Sequence, residues 1–150
     1  MRYGISAAAL IVRNEQVLLV HHRETGRYDF WVPPGGGLQG SESIFECARR
    51  ETLEETGLDV ELDRILYIQE LWEPGYHFCK FFITCKTFSG DLTLANKEQN
   101  EGFLVDARFF AQNDLRELPV FPEILKEQFW DDVRAECPVT RYLGLEQIRF

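Results

Sequence analysis

The sequence predicts an α/β domain of the α+β type, a mixed β-sheet between helices. Three observations predict it. Short β-prone runs lie on both sides of one strong helix signal. That helix has a legible start and stop. A second helix signal follows late, after the last clear strand. At 150 residues, 45% of them hydrophobic, the chain reads as one domain (1–150) large enough for its own core.

The elements follow in order. Ala7 to Val12 is apolar and ends β-prone. A polar turn, Arg13-Asn14-Glu15-Gln16, separates it from Val17-Leu18-Leu19-Val20, so the pair reads as a hairpin. His21 to Asp29 is a polar loop and Phe30-Trp31-Val32 a strand stub. Pro33-Pro34-Gly35-Gly36-Gly37 then breaks regular structure, because proline fixes φ and glycine permits conformations closed to other residues. A helix is predicted over Ile44–Thr56. Ser43 with Glu46 fits a capping box, and Gly57 is a natural stop. At about 100° per residue, Ile44, Phe45, Ala48 and Thr52 share one face, flanked by Glu51 and Glu55, with Glu54 beyond Glu51. Leu53 falls on the opposite side, which this helix alone does not explain. Leu58 to Glu70 reads as a strand interrupted near Asp63-Arg64, and Tyr76 to Phe88 as another, rich in Phe, Ile and Thr. Phe88-Ser89-Gly90-Asp91 is a turn and Leu92 to Asn100 a polar loop. Phe103 to Phe110 is the last clear strand. Asn113-Asp114-Leu115 starts a short helical piece, and Pro122 to Val133 fits a helix with proline in its first turn. The chain from Ala135 onward receives no assignment.

Composition excludes several classes. The net charge of −9 argues against broad nucleic-acid binding, which needs a positive surface to replace phosphate counterions. It leaves small nucleotides open. Cys47, Cys79, Cys85 and Cys137 lack CxxC spacing and an accompanying His pattern, so they read as reduced, mostly buried thiols rather than a zinc site. No apolar run approaches the ~20 residues that span a bilayer, and Met1 to Ser6 does not read as a signal peptide. Cytoplasm is the expected location.

The chemistry lies in Arg50-Glu51-Thr52-Leu53-Glu54-Glu55-Thr56-Gly57. Helical spacing puts Glu51, Glu54 and Glu55 on one side of one helix, where like charges repel. Oxygen ligands on a rigid helix suit hard divalent ions such as Mg2+ or Mn2+. The glycine run just before the helix can bring backbone close to a metal or a phosphate.

Taken together, Gly36, Glu42, Arg50-Glu51, Glu54-Glu55 and Gly57-Leu58 reproduce G-x5-E-x7-R-E-U-x-E-E-x-G-U over residues 36–58, where U is a bulky aliphatic. This resembles the Nudix box, and the chain looks like a Nudix (MutT-type) hydrolase. The one departure is Thr52, where an aliphatic is usual. The resemblance implies an α/β/α sandwich with a mixed sheet. It implies divalent metal held by the Glu51, Glu54 and Glu55 carboxylates and the Gly36 carbonyl, with these glutamates catalytic. Arg50 would orient them through ion pairs, Glu42 would tie the loop to the helix, and Gly35 and Gly37 would approach the substrate. The implied reaction is hydrolysis of a nucleoside diphosphate linked to another moiety: a nucleoside triphosphate, ADP-ribose or another nucleotide sugar, or a dinucleoside polyphosphate. The alternative is a Nudix-fold module that binds a nucleotide without cleaving it. Such modules usually lose box glutamates, and this chain keeps them. The resemblance leaves room for a homodimer.

Some members of the family use a further carboxylate from outside the box as metal ligand or general base. Glu98, Glu101 and Asp106 lie in or near the loop before the Phe103–Phe110 strand, and Glu101 is favoured because it sits just ahead of that strand. His21 and His22 point to opposite faces of a strand, so at most one faces the site, and a structural role suits both. Trp72 and Tyr76 bracket a turn and suit either base stacking or packing.

Overall fold

A computed structural model describes residues 1–97, 103–136 and 139–149. Its strands divide between two sheets. The first is five-stranded and mixed. Strand β1 (Arg2–Leu10) lies between the short β5 (Gly35–Gly37) and the long β7 (Tyr76–Ser89), which is followed outward by β6 (Asp59–Glu73) and β9 (Arg141–Gln147). The β1–β7 and β6–β9 pairs are parallel, and the β1–β5 and β6–β7 pairs antiparallel. In the second sheet, β2 (Val12–Arg13), β4 (Tyr28–Val32) and β8 (Leu104–Ala111) all pair with β3 (Gln16–Glu24). Helix α1 (Ile44–Thr56) packs on the first sheet, and α2 (Gln128–Arg134) closes a second core. This is the mixed α/β/α arrangement expected.

Particular elements depart from the sequence reading. The hairpin expected from Ala7–Val12 and Val17–Val20 shrinks to Val12–Arg13 against Gln16–Val17, closed by Asn14 and Glu15, both at positive φ. The reason is burial. Ala7, Ala8 and Ala9 are fully buried, because β1 is an interior strand and only its end turns back onto β3. The glycine run does not break structure: Gly35–Gly37 pairs antiparallel with Ser6–Ala8. A Cβ on Gly35 would lie 2.3 Å from the Ala7 carbonyl oxygen, so only glycine lets this strand come so close. The interruption near Asp63-Arg64 is present as register shifts between Glu61 and Tyr67. The late helix is split at Glu127, whose backbone is not helical, into a 3-10 turn (Glu123–Lys126) and α2. Trp130 Nε1 and Gln112 Nε2 take the Leu125 and Lys126 carbonyls in place of helical partners.

Helix α1 begins and ends as its sequence dictates. Ser43 Oγ accepts the Glu46 N–H and Glu46 Oε1 accepts the Ser43 N–H, while Gly57 stops the helix at φ 78°. Its buried face keeps Ala48 and Thr52, with Ile44 packed beside them, as expected, but departs at Phe45. Cys47, Ala48, Thr52 and Thr56 are fully buried, whereas Phe45, expected against the sheet, is exposed. Thr52 and Thr56 hydroxyls donate to the carbonyls four residues back, so threonine sits in an apolar interface without an unpaired polar atom.

Candidate active site

The glycine strand β5 runs beside α1, and its neighbours on that helix are the glutamates. Glu55 is buried at 1% exposure, and its Oε1 accepts the Gly35 N–H at 2.8 Å. Glu51 is nearly as buried, and a Cβ on Gly36 would lie 2.6 Å from its Oε1. Glycine at position 36 is therefore what makes room for this carboxylate. The Gly36 carbonyl accepts Ser6 Oγ at 2.9 Å and Cys47 Sγ at 3.3 Å.

Arg50 sits among the carboxylates. It grips Glu42 with two nitrogens, Nε at 3.0 Å and Nη2 at 2.7 Å. Its Nη1 reaches Glu51 Oε1 at 3.0 Å and Glu54 Oε2 at 3.2 Å, and Nη2 reaches the Gly37 carbonyl at 3.2 Å. Glu42 also accepts the Gln39 N–H. The Arg50 hydrogen bonds, helped by the Gln39 N–H, hold the Glu42 carboxyl down at about 2 against the opposing effect of burial. Burial, with Glu42 nearby, pushes the Cys47 thiol up to about 12, so it stays protonated and donates.

The structure thus brings Gly35, Gly36, Gly37, Arg50, Glu51, Glu54 and Glu55 into one neighbourhood. Among the described residues no three His, Cys, Asp or Glu side chains form a closed metal cage: Glu51 and Glu54 turn to Arg50, and Glu55 to Gly35. The donor set still fits a hard divalent ion. It is all oxygen, several-fold anionic, and carried on a rigid helix whose partner strand leaves space for Glu51 through the missing Cβ at Gly36. Asp106 forms a local pair, accepting Arg108 Nε at 2.6 Å. Glu98 and Glu101 lie outside the described residues.

Other expectations resolve into packing. His21 stacks on Trp31 at 4.2 Å and bonds Asp29. His22 stacks on Phe30, and burial, with the charges of Lys80 and His21, pushes it down to about 4, so it is neutral at pH 7. Tyr76 stacks on Phe78 at 5.1 Å and occupies the space that a side chain at Gly4 would need. Of the cysteines, Cys47 is buried and Cys79 and Cys85 half-buried, all free, while Cys137 lies outside the described residues.

One feature escaped the sequence reading. A cavity of about 620 Å³ opens on the sheet, lined by Phe30, Leu71, Phe78, Phe82, Phe121 and Lys80 among others. The signal was present: Lys80 is the single charge inside Phe78-Cys79-Lys80-Phe81-Phe82.

Comparison with known proteins agrees with this geometry. The model of the NUDIX domain matches residues 2–129. The chain belongs to the Nudix family. It is 37% identical over 76 residues, 48% of this chain and 25% of the relative, to m7GpppN-mRNA hydrolase NUDT17 of Danio rerio. It is 29% identical over 97 residues, 65% of this chain and 29% of the relative, to 8-oxo-dGDP phosphatase NUDT18 of the same organism. The chain therefore spans only a quarter to a third of the length of these curated relatives. A Nudix hydrolase structure from Nitrosomonas europaea superposes with a TM-score of 0.72 at 25% identity, covering 94% of this chain and 93% of that one. No helix among the described residues is long and apolar enough to cross a membrane.

Proposed function

We propose that this Nudix chain is a Mg2+- or Mn2+-dependent hydrolase that cleaves the phosphoanhydride of a small nucleoside diphosphate-linked substrate. The observation that supports this most is the intact carboxylate set of α1 facing the glycine strand. When bound there by Glu51, Glu54, Glu55 and the Gly36 carbonyl, a divalent ion supplies charge neutralisation of the diphosphate and a lowered pKa for the attacking water. The chain's own residues do the rest. Arg50 holds Glu51 and Glu54 in place through its guanidinium, so their charges need not reorganise during reaction. The Gly35–Gly37 backbone lets a phosphate approach closely. The aromatic cavity offers faces for a nucleobase. A water oxygen bonds to phosphorus, its proton passes to a carboxylate, and the bridging P–O bond breaks with its electron pair leaving on the departing phosphate. Glu101 is the proposed further carboxylate, as base or ligand. In this reading the enzyme acts in the cytoplasm, without a stable nucleic-acid partner, alone or as a homodimer.

The relatives' named substrates, a capped mRNA and an oxidised nucleoside diphosphate, both contain such an anhydride, which is why the substrate range is drawn at that class. The test is a panel of nucleoside di- and triphosphates, 8-oxo-dGDP, ADP-ribose, nucleotide sugars, dinucleoside polyphosphates and a cap dinucleotide, with phosphate and nucleoside monophosphate release quantified. Turnover of at least one compound, abolished by EDTA and restored by Mg2+ or Mn2+, is expected. Tight binding of a panel member without release would favour the binding-module reading.

A further inference from the structure

We propose that Lys80 is a substrate-binding residue: its ammonium receives the phosphate next to the cavity-held moiety and so fixes which phosphorus lies over the box carboxylates. The inference rests on the hydrolase reading above. Three observations carry it.

The first is position. Lys80 lines the aromatic cavity, with its Nζ 5.4 Å from the Phe82 ring centroid. It is also close enough to α1 for the charges of Glu55 and Glu51 to act on it. It therefore stands where the cavity meets the carboxylates, the place a diphosphate must cross if its base is held on one side and its anhydride is cut on the other.

The second is register. Lys80 pairs with Ser6 on β1 and with Gln69 on β6, and directly paired residues on neighbouring strands share a face. Ser6 Oγ donates to the Gly36 carbonyl, and Gln69 Nε2 donates to Glu146 Oε2 at 3.3 Å. A polar row thus crosses a face otherwise built of Ala8, Leu71, Phe78 and Phe82, from the glycine strand to the cavity rim. Lys80 is its cation.

The third is cost. Lys80 is half-buried on the face it shares with Phe78 and Phe82, and even partial burial of an ammonium is unfavourable unless an anion compensates it. Glu55 and Glu51 favour its charge from the α1 side while also holding the Gly35 N–H and Arg50, and Glu146, on the cavity lining, accepts Gln69. An anion entering from the cavity would meet Lys80 at close range. A compact point charge suits a phosphate.

The experiment uses calorimetry in EDTA with the α,β-methylene diphosphates of adenosine, guanosine, cytidine and uridine and the matching free nucleosides. Lys80→Met is expected to weaken the tightest diphosphate about tenfold or more while leaving its nucleoside within about twofold. Mn2+ binding followed by electron paramagnetic resonance should also stay within about twofold. On the panel substrate, KM should rise with little change in kcat, and Lys80→Arg should recover most of the loss. Should Lys80→Met fail to fold by near-UV circular dichroism, Lys80→Gln supplies the same comparison. Wild-type diphosphate affinity in the Met or Gln variant would overturn the assignment alone. So would an equal loss for nucleoside and diphosphate, or a loss confined to Mn2+, which would make Lys80 only a counter-ion of the glutamates. A wild-type protein that binds none of the four diphosphates would overturn this inference, while turnover of the wider panel with Mg2+ or Mn2+ decides the hydrolase reading separately.

Discussion

Glu51, Glu54 and Glu55 rise from one helix within a single turn, yet each has its own surroundings. Glu55 is buried against a backbone N–H, Glu51 fills the gap at Gly36, and Glu54 is half-exposed under Arg50. In the proposed site, Glu54→Gln and Glu55→Gln each remove one charge aimed at the reacting phosphate. Each should lower kcat by about a hundredfold or more, with folding retained because Gln keeps the shape and an accepting oxygen; steady-state rates and thermal melting check both. Arg50 acts on the same chemistry through other side chains. Arg50→Met leaves Glu42, Glu51 and Glu54 without their shared donor in a partly buried setting. Denaturant unfolding should show a loss of about 2 kcal/mol, together with a fall in kcat. For the further carboxylate, Glu101→Gln should lower kcat about tenfold or more with little change in substrate affinity. Glu98→Gln and Asp106→Asn serve as controls of equal charge change, and equal small effects from all three would remove Glu101 from the mechanism.

At the scale of elements, α1 is held by its ends as much as by its face. Gly57 closes the helix at positive φ, and a Cβ there would lie 2.5 Å from Thr93 Cγ2 and 2.7 Å from the Asp91 carbonyl oxygen. Gly57→Ala should therefore cost more than the about 1 kcal/mol of the left-handed conformation alone, read as a lower Tm. This helix was legible because its signals are local: a capping box, a stop glycine and carboxylates at fixed spacing. The strands from Asp59 to Ser89 were legible for the same reason. What the sequence hid depends on neighbours distant along the chain. The glycine run reads as a breaker until β1 supplies its ladder, and Ala7–Val12 reads as half a hairpin until β7 claims it. Phe45 seemed a core residue because the apolar stripe was drawn around Ile44, while the buried stripe joins the expected Ala48 and Thr52 to Cys47 and Thr56, whose hydroxyl, like that of Thr52, is satisfied within the helix. Of the candidate site, the box residues were readable from spacing. The cavity was not, because Phe30, Lys80 and Phe121 meet only through tertiary packing.

For the molecule as a whole, a buried carboxylate on α2 joins that helix to β6 and β9 of the first sheet. Asp132 accepts Tyr67 Oη at 2.6 Å, Gln128 Nε2 at 3.0 Å and Arg141 through two nitrogens. Burial works against its charge, but these bonds outweigh it and hold the carboxyl below its ordinary value of 3.8. Glu42 is likewise held down, from 4.5 to about 2. Both groups are more acidic folded than unfolded, so their stabilisation is complete above the unfolded values and is lost as pH falls through the folded ones. Unfolding free energy should thus decline from about pH 4.5 downward, and Asp132→Asn should flatten part of that decline while lowering stability at pH 7. The proposed chemistry is that of α1 and its carboxylates acting on a phosphoanhydride. Its most direct test is Mg2+-dependent phosphate or nucleoside monophosphate release from the panel, run side by side for wild type and Glu54→Gln at saturating Mg2+. The wild type should turn over at least one substrate in a reaction that EDTA abolishes, and the folded variant should run about a hundredfold slower. Equal rates for the two proteins, or no release by the wild type from any anhydride, would rule out this role for the α1 carboxylates.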